Sequence, residues 1–331
     1  MGFEVVLIQQ DLLHCRFAVS PAWETWQAVR TLTDPRRQPF HLPWLRTARP
    51  RADRLDLRPL RALQVPAGYV PDFVSPAPRL PVPDIEDELD QVRRTSSRVV
   101  VTELTRCLEG QRDRGAREQI KALLRDPAAA REKIAALLRT CWTELVRPDW
   151  PRVLAVLEDD IAFHARRIAE SGLGPVLNTI HSTFSFSDGV LRIEGRYNAR
   201  YDLAGSGIIL RPSAFAWPDA VLTLGTAGAE PTLIYPARGV GDLWLPQSPN
   251  ATDALARLIG RTRAALLAGL DQPATTTALA RRHALSPSGA SAHLTVLRDA
   301  GLLRSRRQGR EVLYSRTPLG QAVLKSTPDD T

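Results

Sequence analysis

The sequence predicts an α+β chain: a mostly helical N-terminal domain with a small antiparallel sheet, followed by a C-terminal module of three short helices and a two-stranded ribbon. Three observations predict it. Apolar residues recur with the helical period between residues 84 and 170, short alternating runs broken by Gly and Pro follow Gly172, and tightly spaced helical stretches precede a basic hairpin after residue 255. With 331 residues, 44% of them hydrophobic, the chain has room for two domains, which excludes one tiny domain and an intrinsically disordered chain. The changes of texture set the boundaries: residues 1–245 as the N-terminal domain, 246–253 as a linker, 254–326 as the C-terminal module and 327–331 as a tail.

Residues 3–8 and 12–19 alternate weakly and read as two strands. Ser20 followed by Pro21 is an N-cap with proline at the first helical position, opening a helix through Trp23, Trp26 and Val29 that stops near Asp34-Pro35. Residues 35–83 are rich in Pro and Arg and read as short helices and loops anchored by Phe40, Trp44, Leu45, Leu55, Leu57, Leu60 and Leu63. From Asp84 onward, Ile85, Leu89, Val92, Val99 and Leu108 lie on one broad stripe, and Asp84, Glu86, Asp87 and Glu88 complement the helix dipole in the first turn. Further stripes at Ile134, Leu138, Cys141 and Leu145, then at Leu154, Leu157, Ile161, His164 and Ile168, predict a helical bundle. Residues 183–187, the pair Asp188-Gly189 and residues 190–196 have the pattern of a β-hairpin, and 208–211, 220–224 and 232–235 are further strands. Residues 245–250 read as the linker, with Asn250 or Thr252 placed to cap the next helix.

The formal charge of +8 is unevenly placed. Residues 255–331 hold 12 basic and 5 acidic residues, against 27 and 24 in residues 1–170 and 5 and 7 in residues 171–254. A basic terminal module on a near-neutral body points to a polyanion, with nucleic acid ahead of a membrane surface because no amphipathic lipid-facing helix accompanies the charge. No run approaches the ~18 apolar residues of a membrane span. The first 20 residues have no basic leader, so a secretory signal is not expected. Cys15, Cys107 and Cys141 are odd in number and lack C-x-x-C spacing, which suits reduced thiols and a cytoplasmic location.

In the basic module a helix over residues 255–270, a break at Pro273, a helix over 276–283, a turn at Leu285-Ser286 and a helix over 287–300 closed by Gly301 describe a helix-turn-helix. Residues 302–306 and 311–316 flank Arg307-Gln308-Gly309-Arg310 as a wing with a basic tip, and residues 318–325 add a last short helix. This is the order of a winged helix-turn-helix. Ala290, Leu294 and Leu297 lie at i, i+4 and i+7 and face the core, leaving Ser288, Ala292 and Thr295 on the face expected in the major groove of double-stranded DNA. Ser286 caps this helix and Pro287 starts it, so its first N–H groups are available to a phosphate, and Thr276 is placed to do the same for the preceding helix.

No Arg, Lys, Asn or Gln occurs from 286 to 297 to contact a base bidentately. Gly289, Ser291 and Ala292 permit close approach. Hydroxyls, His293 and bridging water are expected to read bases weakly, while Arg304, Arg306, Arg307 and Arg310 supply phosphate and minor-groove contacts. His293 reads equally as a base contact or as a residue packed at the edge of the helix core, and His283 is expected on a solvated face.

The run Thr276-Thr277-Ala278-Leu279-Ala280, then Leu285-Ser286-Pro287-Ser288, Ser291-Ala292-His293-Leu294, Leu297, Ala300-Gly301-Leu302-Leu303 and Arg307-Gln308-Gly309-Arg310 with Tyr314, resembles the ArsR/SmtB-type winged-helix transcriptional regulators over about 75 of the 331 residues. The resemblance implies a sequence-specific DNA-binding regulator, with Tyr314 joining the DNA-binding set. It also implies a homodimer formed through the flanking helices, here residues 255–270 and 318–325, and most often repression released by ligand. Large members with an extra N-terminal domain of unassigned function have a similar layout, so residues 1–245 are expected to bind a small organic effector or a partner. The family's metal sites are not expected, because residues 276–283 have no Cys pair and 318–325 have neither His nor acid.

No cofactor and no catalytic residues are expected either, since the G-x-S-x-G, H-E-x-x-H, Walker and Rossmann signatures are missing. The rival readings are a DNA-targeted enzyme and a ligand-free interaction or architectural protein. Cys107 and Cys141 read as apolar filler rather than a redox switch, and Glu158-Asp159-Asp160 as a solvated helix face rather than a metal site. Gly205-Ser206-Gly207 is too short for a phosphate loop. The seven tryptophans read as core, with some available to line a ligand pocket.

Overall fold

The computed structural model describes residues 2–65, 69–194, 199–225, 230–244, 255–256, 258–283, 285–308 and 311–325, and the chain divides into two units, Met1–Trp244 and Leu245–Thr331. The first unit opens with β1 (Gly2–Val6), α1 (Gln9–Leu13) and β2 (Arg16–Phe17). The strand expected over 12–19 therefore shrinks to Arg16–Phe17, with residues 12–14 taken by the end of α1 and its turn. The reason is local: the buried Asp11 carboxylate accepts from the Ile8 N–H (2.8 Å) and the Gly207 N–H (3.0 Å), which fixes a helix start where weak alternation offered little. Gly205 and Gly207, at φ of 89° and 75°, close the turn against α1 rather than cradling a phosphate.

The helix α2 (Pro21–Thr33) begins as its sequence requires, with Ser20 Oγ accepting from the Trp23 N–H at 3.0 Å and Pro21 at the first position. It is buried on nearly every side and forms the axis of a bundle made with α3 (Leu42–Ala52), α4 (Arg58–Ala62), α5 (Ile85–Arg94), α6 (Ser97–Gly110), α7 (Arg114–Arg125), α8 (Pro127–Cys141) and α9 (Trp150–Ser171). The single stripe read from Ile85 to Leu108 is two helices. Ser96 caps α6 anew, and the turn rotates the pattern so that Val100, Leu104 and Cys107 face the core while Val99 is only half-buried. After α8 a π turn over Trp142–Val146 presents the Leu145 carbonyl to the Trp44 indole N–H at 3.2 Å.

Beyond α9 come α10 (Leu173–Ile180) and the strands β3 (Phe184–Ser187), β4 (Val190–Glu194), β5 (Ala199–Asp202), β6 (Ile209–Ser213), β7 (Val221–Thr223) and β8 (Thr232–Pro236). Asp188 and Gly189, both at positive φ, make the hairpin turn that the Asp-Gly pair predicts. The expected small antiparallel sheet is instead two mixed four-stranded sheets, ordered β3-β4-β1-β5 and β2-β6-β8-β7. The correction has two causes: β1 and β2 return to pair with strands far downstream, and β8 lies parallel to β6 rather than joining it in a hairpin. β1 runs antiparallel to β4 and parallel to β5, β2 parallel to β6, and β6 parallel to β8. Parallel neighbours need a long crossover, and the helical bundle between β2 and β6 supplies it. Pairing between strands so far apart in sequence leaves no local signature. Among the described residues no helix is long and apolar enough to cross a membrane.

The second unit contains α11 (Arg261–Ala268), β9 (Ala274–Thr275), α12 (Thr276–Arg282), α13 (Pro287–Asp299), β10 (Leu303–Gln308), β11 (Glu311–Arg316) and α14 (Pro318–Lys325). The helix expected over 255–270 is broken, because Gly260 adopts φ of 89° and ends the first turn before α11 begins. β10 and β11 form the antiparallel wing, and β9 pairs with β11. Ala264, Leu266, Leu267, Leu279, Leu294, Leu297, Leu303 and Tyr314 close the core. The expected linker, the capping roles of Asn250 and Thr252, the tail and Arg310 lie outside the described residues.

Candidate nucleic-acid interface

The candidate surface is built on α13. Ser286 takes extended backbone angles and its Oγ accepts from the Gly289 N–H at 3.1 Å, while Pro287 occupies the first position and needs no donor. At the other end Gly301, at φ of 72°, reverses the chain and the Leu302 N–H reaches back to the Leu297 carbonyl at 2.9 Å. Both ends are thus fixed by local chemistry. Ala290, Leu294 and Leu297 are buried, while Ser288, Ser291 and Ala292 are exposed and Gly289, His293 and Thr295 are half-buried. The outer face is made of small and hydroxyl side chains, as its spacing predicts.

The preceding helix differs from expectation at its first residue. Thr275, not Thr276, is the cap: its Oγ1 accepts from the Ala278 N–H at 3.2 Å, and Thr276 is already helical and half-buried. A one-residue shift between two adjacent threonines is invisible to propensity, since either hydroxyl could cap. His283 is also placed differently. It is half-buried, and a β-carbon on Gly269 would lie 2.5 Å from its Nε2, so the ring packs against backbone where a glycine leaves room. Arg282 Nη1 donates to the Gly269 carbonyl at 2.7 Å and helps hold the two segments together.

Strand alternation divides the wing's basic residues between two faces. Arg304 pairs across the ribbon with Ser315 and donates Nε to its Oγ at 3.0 Å, and Arg306 lies two residues on, exposed, on the same face. Arg307 is exposed on the opposite face, opposite Val312. Tyr314 shares that second face but sits lower in the ribbon, only 6% exposed, inside the core with Leu303. Its ring therefore supports the wing from beneath and is a correction to its grouping with the surface residues. The outward face of α13 and the arginine-bearing wing belong to one unit and offer small contacts beside cationic ones, the division of labour expected between base edges and phosphates.

Two features of Met1–Trp244 could bear on a ligand. A shallow recess of about 650 Å³ lies over the polar face of β1, β4 and β5, where Glu4 accepts from Arg192 Nε at 3.3 Å and from Arg200 Nη1 at 3.0 Å. Both of its arginines are thus paired with Glu4. The second is a cluster of buried charges around Arg211 on β6. The guanidinium is 1% exposed, stacks 5.6 Å from the Trp23 ring, and makes long contacts to Ser75 Oγ (3.3 Å) and the Pro76 carbonyl (3.4 Å). Glu24, Glu88 and Asp72 lie in its field, and burial pushes their carboxyl groups up to about 8, about 7 and about 7. Glu24 Oε2 nevertheless accepts from the N–H groups of Ala214 (3.1 Å) and Phe215 (3.3 Å), and Glu88 from Ser20 Oγ (2.5 Å) and the Ala22 N–H (2.8 Å).

The buried interior of this unit also revises smaller expectations. Asp160, read as part of a solvated run, is 1% exposed and accepts from the Tyr235 hydroxyl and the Arg238 N–H, both at 2.9 Å. Trp23, Trp26, Trp44, Trp142 and Trp244 are core, Trp150 is half-buried against it, and Trp217 is 45% exposed. Cys107 and Cys141 are buried in the bundle, where desolvation pushes both thiols up to about 12.

Residues 258–306 match a helix-turn-helix domain model, and residues 93–241 match a family of unknown function (DUF5937). No curated protein and no solved structure matches the chain. The two matches fall on separate units, so the chain joins a helix-turn-helix to an N-terminal domain of unknown function, the architecture that the resemblance implies. The helix-turn-helix supports a DNA-binding transcription regulator.

Proposed function

We propose that the chain is a sequence-specific transcription regulator, a repressor acting as a cytoplasmic homodimer on double-stranded DNA, whose affinity is modulated by a small organic ligand or a partner bound to the N-terminal domain. The observation that carries this reading is the pairing of a capped α13, with an outer face of Ser288, Ser291, Ala292 and Thr295, with a wing that exposes Arg304, Arg306 and Arg307. The first would offer a helix N-terminus and small side chains to DNA, and the second cations for phosphate contacts. Thr276, Ser286, Gly289 and His293 belong to the same proposed surface, and Arg310, which lies outside the described residues, is proposed with them from its place in the sequence.

Exposed leucines in the flanking segments support the proposed dimer. Leu258 is 81% exposed and Leu319 on α14 is 55% exposed, and a second copy would cover both. Two-fold symmetry then matches an inverted repeat with half-sites about 34–36 Å apart. A ligand acts on such a dimer only by binding one of its shapes more tightly than another.

Selection of fragmented genomic DNA on the full-length protein at near-physiological salt tests this reading. The expected result is a small set of sites sharing one inverted repeat. Diffuse recovery that collapses with added salt would contradict it and reduce the basic module to an electrostatic anchor. For the effector, a compound that raises the melting temperature and weakens binding to the recovered site supports sensing, and turnover of that compound would favour an enzyme instead.

A further inference from the structure

Resting on the DNA-binding reading above, we infer that α13 reads its site through thymine 5-methyl groups, with the Ala292 β-carbon and the Thr295 γ-methyl as the contacting atoms. The polar groups at the helix entrance are already engaged. Ser286 Oγ accepts from the Gly289 N–H and lies 3.3 Å from Ser288 Oγ, so Ser286 is engaged as the cap and one hydroxyl hydrogen is shared between the two serines. The helix's one guanidinium, Arg298, is held by Asp299 through Nε at 3.1 Å and Nη2 at 2.9 Å. Beyond these groups the outer face offers the Ser291 hydroxyl and the methyl groups of Ala292 and Thr295.

Ser288, Ala292, Thr295 and Asp299 follow one another at spacings of four, three and four residues and share that face. The charges along it are unequal. The N-terminal turn carries donor N–H groups and no acid, whereas at the C-terminal end Arg298 and Asp299 offset each other's charge. A groove walled by phosphates favours the donor end, so the helix enters by its N-terminal turns with Ala292 and Thr295 beneath the base edges. Side chains this short let the backbone come close. In the major groove the thymine methyl is the base-edge group that an alanine or a threonine methyl recognises by apolar contact. Val296, four residues after Ala292 and 46% exposed, extends the apolar border.

The experiment uses the full-length protein and a duplex of the recovered site in which deoxyuridine replaces thymidine one position at a time. This removes the methyl and keeps every hydrogen-bonding group. The expected result is a rise in Kd of about fourfold for each contacted methyl removed. Thr295→Ser, which keeps the hydroxyl and loses the methyl, should bind the thymine and uracil duplexes equally at the position it contacts, with its melting temperature close to that of the parent. A 5-methylcytosine·guanine pair at that position should bind more tightly than cytosine·guanine. A shared site whose affinity is the same at every uracil position overturns methyl readout and leaves DNA binding standing. Recovery of no shared sequence overturns both.

Discussion

Every buried polar or charged side chain among the described residues belongs to Met1–Trp244, from Asp11 to Thr232, whereas the core of Leu245–Thr331 is built from leucines, alanines and Tyr314. The two units therefore carry their chemistry in opposite places. In the second unit the interior is passive and what it can recognise is displayed on α13 and the wing. In the first unit Arg211, Glu24, Glu88 and Asp160 lie inside, so the fold and the ionisation of its groups are coupled. A reader of surface patterns finds the function of one unit and misses the logic of the other.

The largest expected effect comes from breaking the buried cluster. At pH 9, where Glu24, Glu88 and Asp72 have released their protons, Arg211→Ala leaves them without the guanidinium in whose field they lie, and should lower the stability of Met1–Trp244 by about 3–5 kcal/mol. Calorimetry on the full chain should show that unit's transition move while the other stays. A single shift of both transitions would break the comparison. Leu294→Ala opens a cavity in the apolar core of the second unit and should cost that unit about 2–5 kcal/mol, with the first unaffected.

The two units should also respond differently to pH. Burial raises the Glu24 carboxyl to about 8 and those of Glu88 and Asp72 to about 7, so the folded unit keeps protons that the unfolded chain releases. Their contribution is complete below the ordinary carboxylate range and is lost as pH rises through about 7–8. His41 works in the other direction. Burial lowers it to about 3, with its Nδ1 accepting from the Trp244 indole (2.6 Å) and its Nε2 donating to the Ala214 carbonyl (3.1 Å), so its contribution is present above the ordinary histidine range and is lost as pH falls toward 3. The melting temperature of the first unit should therefore fall between about pH 6.5 and 8, above the range in which His41 opposes the fall, and Glu24→Gln, which keeps an acceptor for Ala214 and Phe215, should flatten that fall. An equal slope in the variant would remove Glu24 from the account.

Smaller effects sharpen the second unit. A β-carbon on Gly320 would lie 2.1 Å from the Leu302 carbonyl oxygen, so Gly320→Ala must push α14 off the wing base and should cost about 1–3 kcal/mol in denaturant unfolding. Ser286→Ala removes the cap of α13 and should cost about 1 kcal/mol.

The same contrast explains what the sequence made legible. Ser20-Pro21, Asp188-Gly189, Ser286-Pro287 and Gly301 are local devices, and each places its helix end or turn where the residues say. The outer face of α13 follows from i, i+4 and i+7 spacing alone. What escaped the reading is non-local. The pairing of β1 with β4 and β5 joins segments on either side of the whole bundle, and the burial of Asp160 depends on Tyr235 and Arg238 meeting it across the fold. Tyr314 was misplaced for a related reason: alternation says which face a side chain takes, but not which face the core covers.

The most direct test of the central claim, that the second unit holds DNA through α13 and the wing, is the salt dependence of affinity for a recovered site, measured on the full-length protein and on Arg306→Ala/Arg307→Ala. The account predicts weaker binding and a slope of log K against log salt shallower by about 2, with the melting temperatures of both units unchanged. An unchanged affinity and slope would contradict it.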